Sequence, residues 1–145
     1  MFPWCLHVGD SDTCTTIKLA RHAESLDASG VASLTPYCYL HGRDEIDHRF
    51  LSLIDAVSTP VYLYNNPKYT NYCVTPDQVA RLGEKGLAGI KDSSADIQLF
   101  CGLVAATGIS LIFKSSSARR RSCCRLWSAA GEDVSRVCRT CTSRS

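Results

Sequence analysis

Thr75-Pro76-Asp77-Gln78-Val79-Ala80-Arg81-Leu82-Gly83-Glu84-Lys85-Gly86-Leu87-Ala88-Gly89-Ile90 holds a helix with both ends marked and, directly after it, a strand. Thr75 offers a capping oxygen and Pro76 suits the first helical position. Gln78 stands three residues after the cap, the spacing of a capping box. Gly86 is placed to end the helix, and Leu87-Ala88-Gly89-Ile90 is the apolar run of a strand.

The same unit recurs on both sides. Upstream, Asp12-Thr13 opens a helical pattern of Ile17, Leu19, Ala20, Ala23 and Leu26 that stops before Gly30. Val31-Ala32-Ser33-Leu34 follows as a short apolar run closed by Thr35-Pro36, the pattern of a buried parallel strand. Asp44 is read as the cap of a second helix, with Ile46, Phe50, Leu53, Ile54 and Val57 on one face. Pro60 then precedes the strand Val61-Tyr62-Leu63-Tyr64, which Asn65-Asn66-Pro67 ends in a turn. Downstream, Ile97, Phe100, Cys101 and Val104 give an apolar helix face before Gly108, and residues 109–113 form a fourth strand. The strands start at 31, 61, 87 and 109 with a helix in each interval, so right-handed βαβ crossovers and a parallel α/β sheet follow. Periodicity leaves an open doubly wound sheet and part of a closed barrel both standing. No Gly-rich phosphate loop follows any strand, which removes the usual function of the open sheet.

The chain has 145 residues, 45% hydrophobic and 21% charged, the composition of a folded domain. No apolar stretch approaches the roughly 18 residues that cross a bilayer, and Asp10 and Asp12 arrive too early for a signal-peptide core, so a cytoplasmic location is expected. Nine cysteines are an odd number in a chain too long for a stapled scaffold, and reduced thiols are expected. The net charge of +2 hides a split. Residues 1–113 hold 8 Lys/Arg against 12 Asp/Glu, whereas residues 114–145 hold 8 against Glu132 and Asp133.

Three strand ends carry distinctive residues: Thr35-Pro36-Tyr37, Leu63-Tyr64-Asn65-Asn66-Pro67 and Gly89-Ile90-Lys91-Asp92-Ser93-Ser94. In this order and spacing the sequence resembles the dihydrodipicolinate synthase and N-acetylneuraminate lyase family of Schiff-base pyruvate aldolases. The resemblance runs from about Gly9 to Phe113. It implies a partial (β/α)8 barrel, about strands 3 to 7 of the family fold, and a parent that forms homo-tetramers. Lys91 and Tyr64 stand at the C-terminal ends of parallel strands, where barrel active sites are built, and neighbouring strands are about 4.8 Å apart. Desolvation at the end of an apolar strand favours the neutral, nucleophilic amine. The resemblance implies that Lys91 attacks the C2 carbonyl of pyruvate or a related 2-oxo acid to give an imine. Tyr64 would shuttle protons and help hold the carboxylate, an aldehyde would be the second partner, and no cofactor is needed. Thr35 and Tyr37 are carried over as substrate-binding residues, with a Thr-Pro turn and a half-buried Tyr as their structural alternative.

Some positions depart from the family pattern. Cys38 stands where a second Tyr usually enters a neighbouring subunit's site, and Tyr39, one residue on, is expected to face the other way. The family's Gly-Thr-Thr-Gly-Glu strand end would fall upstream of Met1. Tyr69 occupies the place of an Arg in the synthase branch, and Ala32-Ser33-Leu34-Thr35-Pro36-Tyr37 is as close to the 2-keto-3-deoxy-sugar-acid aldolases. A catalytically inactive fragment is the competing reading.

Residues 114–145 break the pattern. They hold 8 Ser, 4 of the 9 Cys and no apolar period, and are expected to be disordered or translated out of frame. Cys123, Cys124, Cys138 and Cys141 are four possible zinc ligands, but only the second pair has knuckle spacing. Arg119-Arg120-Arg121 could meet phosphates, yet no nucleic-acid-binding fold surrounds it. The sequence is therefore read with no metal, no nucleic-acid partner and no membrane partner. His7, His22, His41 and His48 have no ligand spacing.

Overall fold

The computed structural model describes residues 5–107 and the backbone of 110–113. The expectations for residues 114–145 lie outside the described residues. Five strands, β1 (Cys5–His7), β2 (Gly30–Leu34), β3 (Val61–Asn65), β4 (Leu87–Asp92) and β5 (Ser110–Phe113), pair in parallel in the order β1-β2-β3-β4-β5. Helices α1 (Thr13–Ser25), α2 (Arg43–Ala56), α4 (Pro76–Glu84) and α5 (Ile97–Ala106) fill the crossovers, with a short α3 (Pro67–Thr70) ahead of α4. A doubly wound sheet reverses its strand order at a switch point. This order never reverses, which is the winding of a (β/α)8 barrel and settles the alternative that periodicity left open. Among the described residues no helix is long and apolar enough to cross a membrane.

The helix ends follow local chemistry. The Asp12 carboxylate accepts the Thr15 N–H at 2.7 Å and caps α1, and Asp96 caps α5 through the Gln98 and Leu99 N–H groups. Thr75 Oγ1 accepts the Gln78 N–H at 3.3 Å, but the return half of the expected capping box is missing. The Gln78 side chain instead donates to Asp47 Oδ1 at 2.5 Å and accepts from the Tyr72 hydroxyl at 2.8 Å, tying α4 to α2. The cap of α2 is Gly42, not Asp44. The Glu45 carboxylate accepts the Gly42 N–H at 2.9 Å, and Asp44 lies inside the first turn, where a negative charge favours the helix N-terminus. Gly86 ends α4 at φ +111°, a conformation that L side chains rarely adopt. The turn expected at Asn65-Asn66-Pro67 is the entry to α3, whose end is Asn71 in the left-handed region at φ 52°.

The helices cover one face of the sheet. Val31, Val61, Leu63, Leu87 and Ile90 bury that face against Ala20, Ala23, Ile46, Phe50, Leu53, Val79, Leu82 and Leu103. In α5 the fully buried residue is Leu103, and Ile97 is 48% exposed, so the buried stripe is rotated from the one expected. The alternate positions Ala32, Leu34, Tyr62, Tyr64 and Lys91 are half-buried on the concave face, the inside of the barrel wall.

Strict alternation from Leu87 would put Lys91 under the helices with it. A bulge prevents this, because Val61 pairs with Leu87 and Tyr62 with Gly89, leaving Ala88 as the extra residue. Leu87 and Ile90 therefore both face the helices. Lys91 falls on the concave face.

Candidate active site

Tyr64 and Lys91 are direct register partners on β3 and β4. The Lys91 Nζ lies over the Tyr64 ring, 3.9 Å from its centroid, a close cation–π distance. Both side chains leave the C-terminal ends of their strands on the concave face, and Lys91 is half-buried there. The Tyr64 hydroxyl accepts a hydrogen bond from Asn66 Nδ2 at 3.2 Å. Burial pushes the Tyr64 phenol up, but the Ser93 hydroxyl, the Lys91 charge and Asn66 together outweigh it, and the phenol lies below its ordinary value. Ser93 Oγ is buried with no partner of full hydrogen-bond geometry, yet it is near enough to favour the ionised phenol.

A clasp beneath the helices fixes this register. Asn65 Nδ2 donates to Asp92 Oδ1 at 2.7 Å, and Ser94 Oγ donates to Asp92 Oδ2 at 2.8 Å. Asn65 Oδ1 accepts the Val74 N–H at 3.4 Å, and the Asn65 carbonyl accepts the Ser93 N–H at 2.9 Å. Asn65 and Asp92 are both fully buried, so the ends of β3 and β4 are joined where water cannot compete. Tyr64 and Lys91 follow as one unit.

The other two sequence-derived site residues lie elsewhere. Thr35 is fully buried, and its hydroxyl has no hydrogen-bond partner. Tyr37 is 42% exposed on the loop after β2, within electrostatic reach of Arg49 on α2. Cys38 is exposed and Tyr39 is 78% exposed. Tyr69 is 66% exposed, with Lys68 Nζ 5.9 Å from its ring centroid. Cys5, Cys14, Cys38 and Cys73 are free thiols, and among the described residues no group of three His, Cys, Asp or Glu could hold a metal ion.

The structure adds three residues that sequence reasoning missed. Asn66 and Ser93 sit inside the strand-end motifs, so proximity in sequence was the available signal. His7 on β1 faces the same side as Tyr64, with ring centroids 6.2 Å apart and planes at 85°. No pattern marked so short a strand.

The Tyr64 environment carries a spectroscopic prediction. In an ultraviolet absorbance titration, Tyr64 is expected to ionise ahead of Tyr72, whose phenol burial pushes up. Lys91→Met should move the early component toward the ordinary tyrosine range, and Tyr64→Phe should remove it. An early component that survives Tyr64→Phe would belong to another residue and refute the assignment.

The sequence profile of the dihydrodipicolinate synthetase family matches residues 3–117. The chain is 33% identical over 101 residues to the 4-hydroxy-tetrahydrodipicolinate synthase of Afipia carboxidovorans, covering 69% of this chain and 34% of that one. It is also 33% identical over 93 residues to Escherichia coli (strain K12) YjhH, named a probable 2-dehydro-3-deoxy-D-pentonate aldolase, covering 63% of this chain and 31% of YjhH. Among solved structures, the Thermotoga maritima dihydrodipicolinate synthase superposes with a TM-score of 0.74 at 26% identity, over 77% of this chain and 40% of that one. The chain thus spans about a third of the length of these curated relatives. With its strand order, its concave Tyr–Lys pair and this profile match in agreement, the chain belongs to the dihydrodipicolinate synthetase family.

Proposed function

We propose that the chain is the Schiff-base-forming part of a class I lyase or aldolase acting on pyruvate or a related 2-oxo acid. The observation that carries this is the Lys91 amine held over the Tyr64 ring at the C-terminal edge of the sheet. In the reading, the neutral Lys91 amine attacks C2 of the 2-oxo acid. The carbonyl oxygen takes up protons and leaves as water, and the imine remains. Tyr64, its phenol below the ordinary value, moves the proton at that oxygen and later at the aldehyde partner. Asn66 and Ser93 tune the phenol, and the Asn65–Asp92 clasp keeps the two groups in register. Thr35 and Tyr37 remain candidates for holding the substrate carboxylate. The partner is either the aldehyde of a synthase-like condensation or that released by cleavage of a 2-keto-3-deoxy sugar acid. Relatives named for both chemistries match this chain equally well in identity. Residues 1–113 as a partial barrel, a homo-tetrameric parent and a cytoplasmic location complete the reading, on the family resemblance.

Incubating the full chain with pyruvate and borohydride, then mapping peptides by mass, tests this. The expected adduct is on Lys91. Labelling spread evenly over Lys18, Lys68, Lys85 and Lys91, or no adduct, would favour the inactive-fragment reading instead.

A further inference from the structure

The concave face carries one more chemically capable side chain near the Tyr64–Lys91 pair, and it comes from the strand that no sequence pattern marked. His7 pairs in register with Ala32 on β2, and the concave positions continue through Leu34 to Tyr64 and then Lys91. Its imidazole meets the Tyr64 ring edge-on, at 6.2 Å between centroids and 85° between planes, inside the range of favourable aromatic pairs. The seat of that imidazole is also built from behind. A Cβ at Gly9 would lie 3.0 Å from His7 Cε1 and 2.8 Å from the Leu34 backbone nitrogen, so any side chain there would displace the ring or part β2 from the loop. Gly9 leaves that space, and the His7 ring, exposed on its outer side, lies against it.

We propose that His7 is a positioning residue of this site, whose ring, seated against Gly9, holds the Tyr64 phenol in place over the Lys91 amine. The inference rests on the imine reading for its catalytic consequence, but not for its geometry. Tyr64 is fixed at its backbone by β3 and at its hydroxyl by Asn66. The side of its ring is the remaining freedom, and His7 closes it. The charge state of the imidazole suits that task. Partial desolvation beside the sheet, and then the Lys91 charge, hold it below its ordinary value, which disfavours a second cation beside the amine. Among the described residues the other titratable groups on this face are Cys5, Tyr62, Tyr64 and Lys91, and burial pushes the Cys5 thiol up, keeping it neutral too.

The test uses the full chain and two substitutions. His7→Ala removes the ring, and His7→Phe restores an aromatic edge without a titrating nitrogen. His7→Ala is expected to slow borohydride trapping of pyruvate on Lys91 by about two- to tenfold, the worth of an aromatic pair. His7→Phe should return the rate to within about twofold of the parent. Equal rates for the parent and His7→Ala, or a His7→Phe chain as slow as His7→Ala, would overturn the proposal. If the parent forms no adduct, the imine reading fails by itself, and the Tyr64 phenol titration then carries the test. A phenol that loses its place over Lys91 moves up toward the ordinary range in His7→Ala and returns in His7→Phe. A phenol unmoved by His7→Ala would show that His7 does not position it.

Discussion

Lys91→Ala is expected to abolish the pyruvate adduct completely, whereas Lys85→Ala and Lys68→Ala leave its yield unchanged within about twofold. Surface amines also form imines with 2-oxo acids, so the prediction turns on what separates Lys91 from them. Lys85 follows α4 at its C-terminal cap, away from the concave face. Lys68 lies beside Tyr69, but that ring is 66% exposed and 5.9 Å away, so the pair is solvated. Of the three, Lys91 alone lies over a half-buried phenol ring, 3.9 Å from its centroid, and that phenol lies below its ordinary value. Tyr64→Phe keeps the ring over the amine and removes only the hydroxyl. It should slow trapping about a hundredfold, the lower end for losing a general acid or base. Trapping at the parental rate in Tyr64→Phe would mean that Tyr64 packs and does not transfer protons. Lys91→Ala removes a half-buried side chain from an open face, so the chain should keep its fold, which circular dichroism of the same sample checks.

What the sequence made legible follows from where the signals are local. Asp12, Thr75 and Gly86 mark helix ends through their own side-chain or backbone chemistry, and each does so in the structure. Gln78 shows the limit of such reasoning. Its spacing fits a capping box, but the side-chain oxygen that would close the box accepts from the Tyr72 hydroxyl, while its amide N–H donates to Asp47 on a neighbouring helix. β1 escaped because three residues carry no readable alternation and two aspartates follow closely. The order of the strands lies beyond any local pattern, since it is set by which helix faces can share a core. The Ala88 bulge is another tertiary outcome, and it decides the chemistry, because a one-residue change of register moves Lys91 from the helix side to the concave side. Lys91 and Tyr64 could be named from strand ends and resemblance, but His7 could not. Its meaning depends on a neighbour two strands away.

The largest effect on stability is expected at Arg49, a charged residue that sequence reading passed over. Arg49 is 3% exposed on α2, and its guanidinium donates to the carbonyls of Asp10 and Ser11 and to the hydroxyls of Thr13 and Thr16. It thereby ties α2 to the loop that carries the chain from His7 and Gly9 into α1. Two opposing terms decide what Arg49→Met would do. Removing a buried guanidinium recovers its desolvation cost, which pulls Arg49 below its ordinary value and leaves Nε without a partner. Against this, hydrogen bonds from a charged donor are worth about 1.5–3 kcal/mol each, and a buried acceptor left unpaired, as at Thr16, costs about 1–3 kcal/mol. Replacing a whole ion pair by apolar groups can be neutral because both charges leave together. Here two of the four acceptors are backbone carbonyls that no side-chain substitution removes. The second term therefore wins, and Arg49→Met should destabilise the chain by about 2–4 kcal/mol, read as a lower urea midpoint with an unchanged slope. Arg49→Lys keeps the charge but cannot reach four acceptors at once, and should recover only part of the loss. If Arg49→Met unfolds within about 0.5 kcal/mol of the parent, desolvation balances the contacts and the loop is held by its remaining hydrogen bonds, the Asp12 cap and the Asp10 N–H to Thr16 Oγ1 among them. If the loss is as expected, the Arg49 contacts hold the loop next to Gly9, and Arg49→Met should also move the Tyr64 phenol in the direction that His7→Ala does.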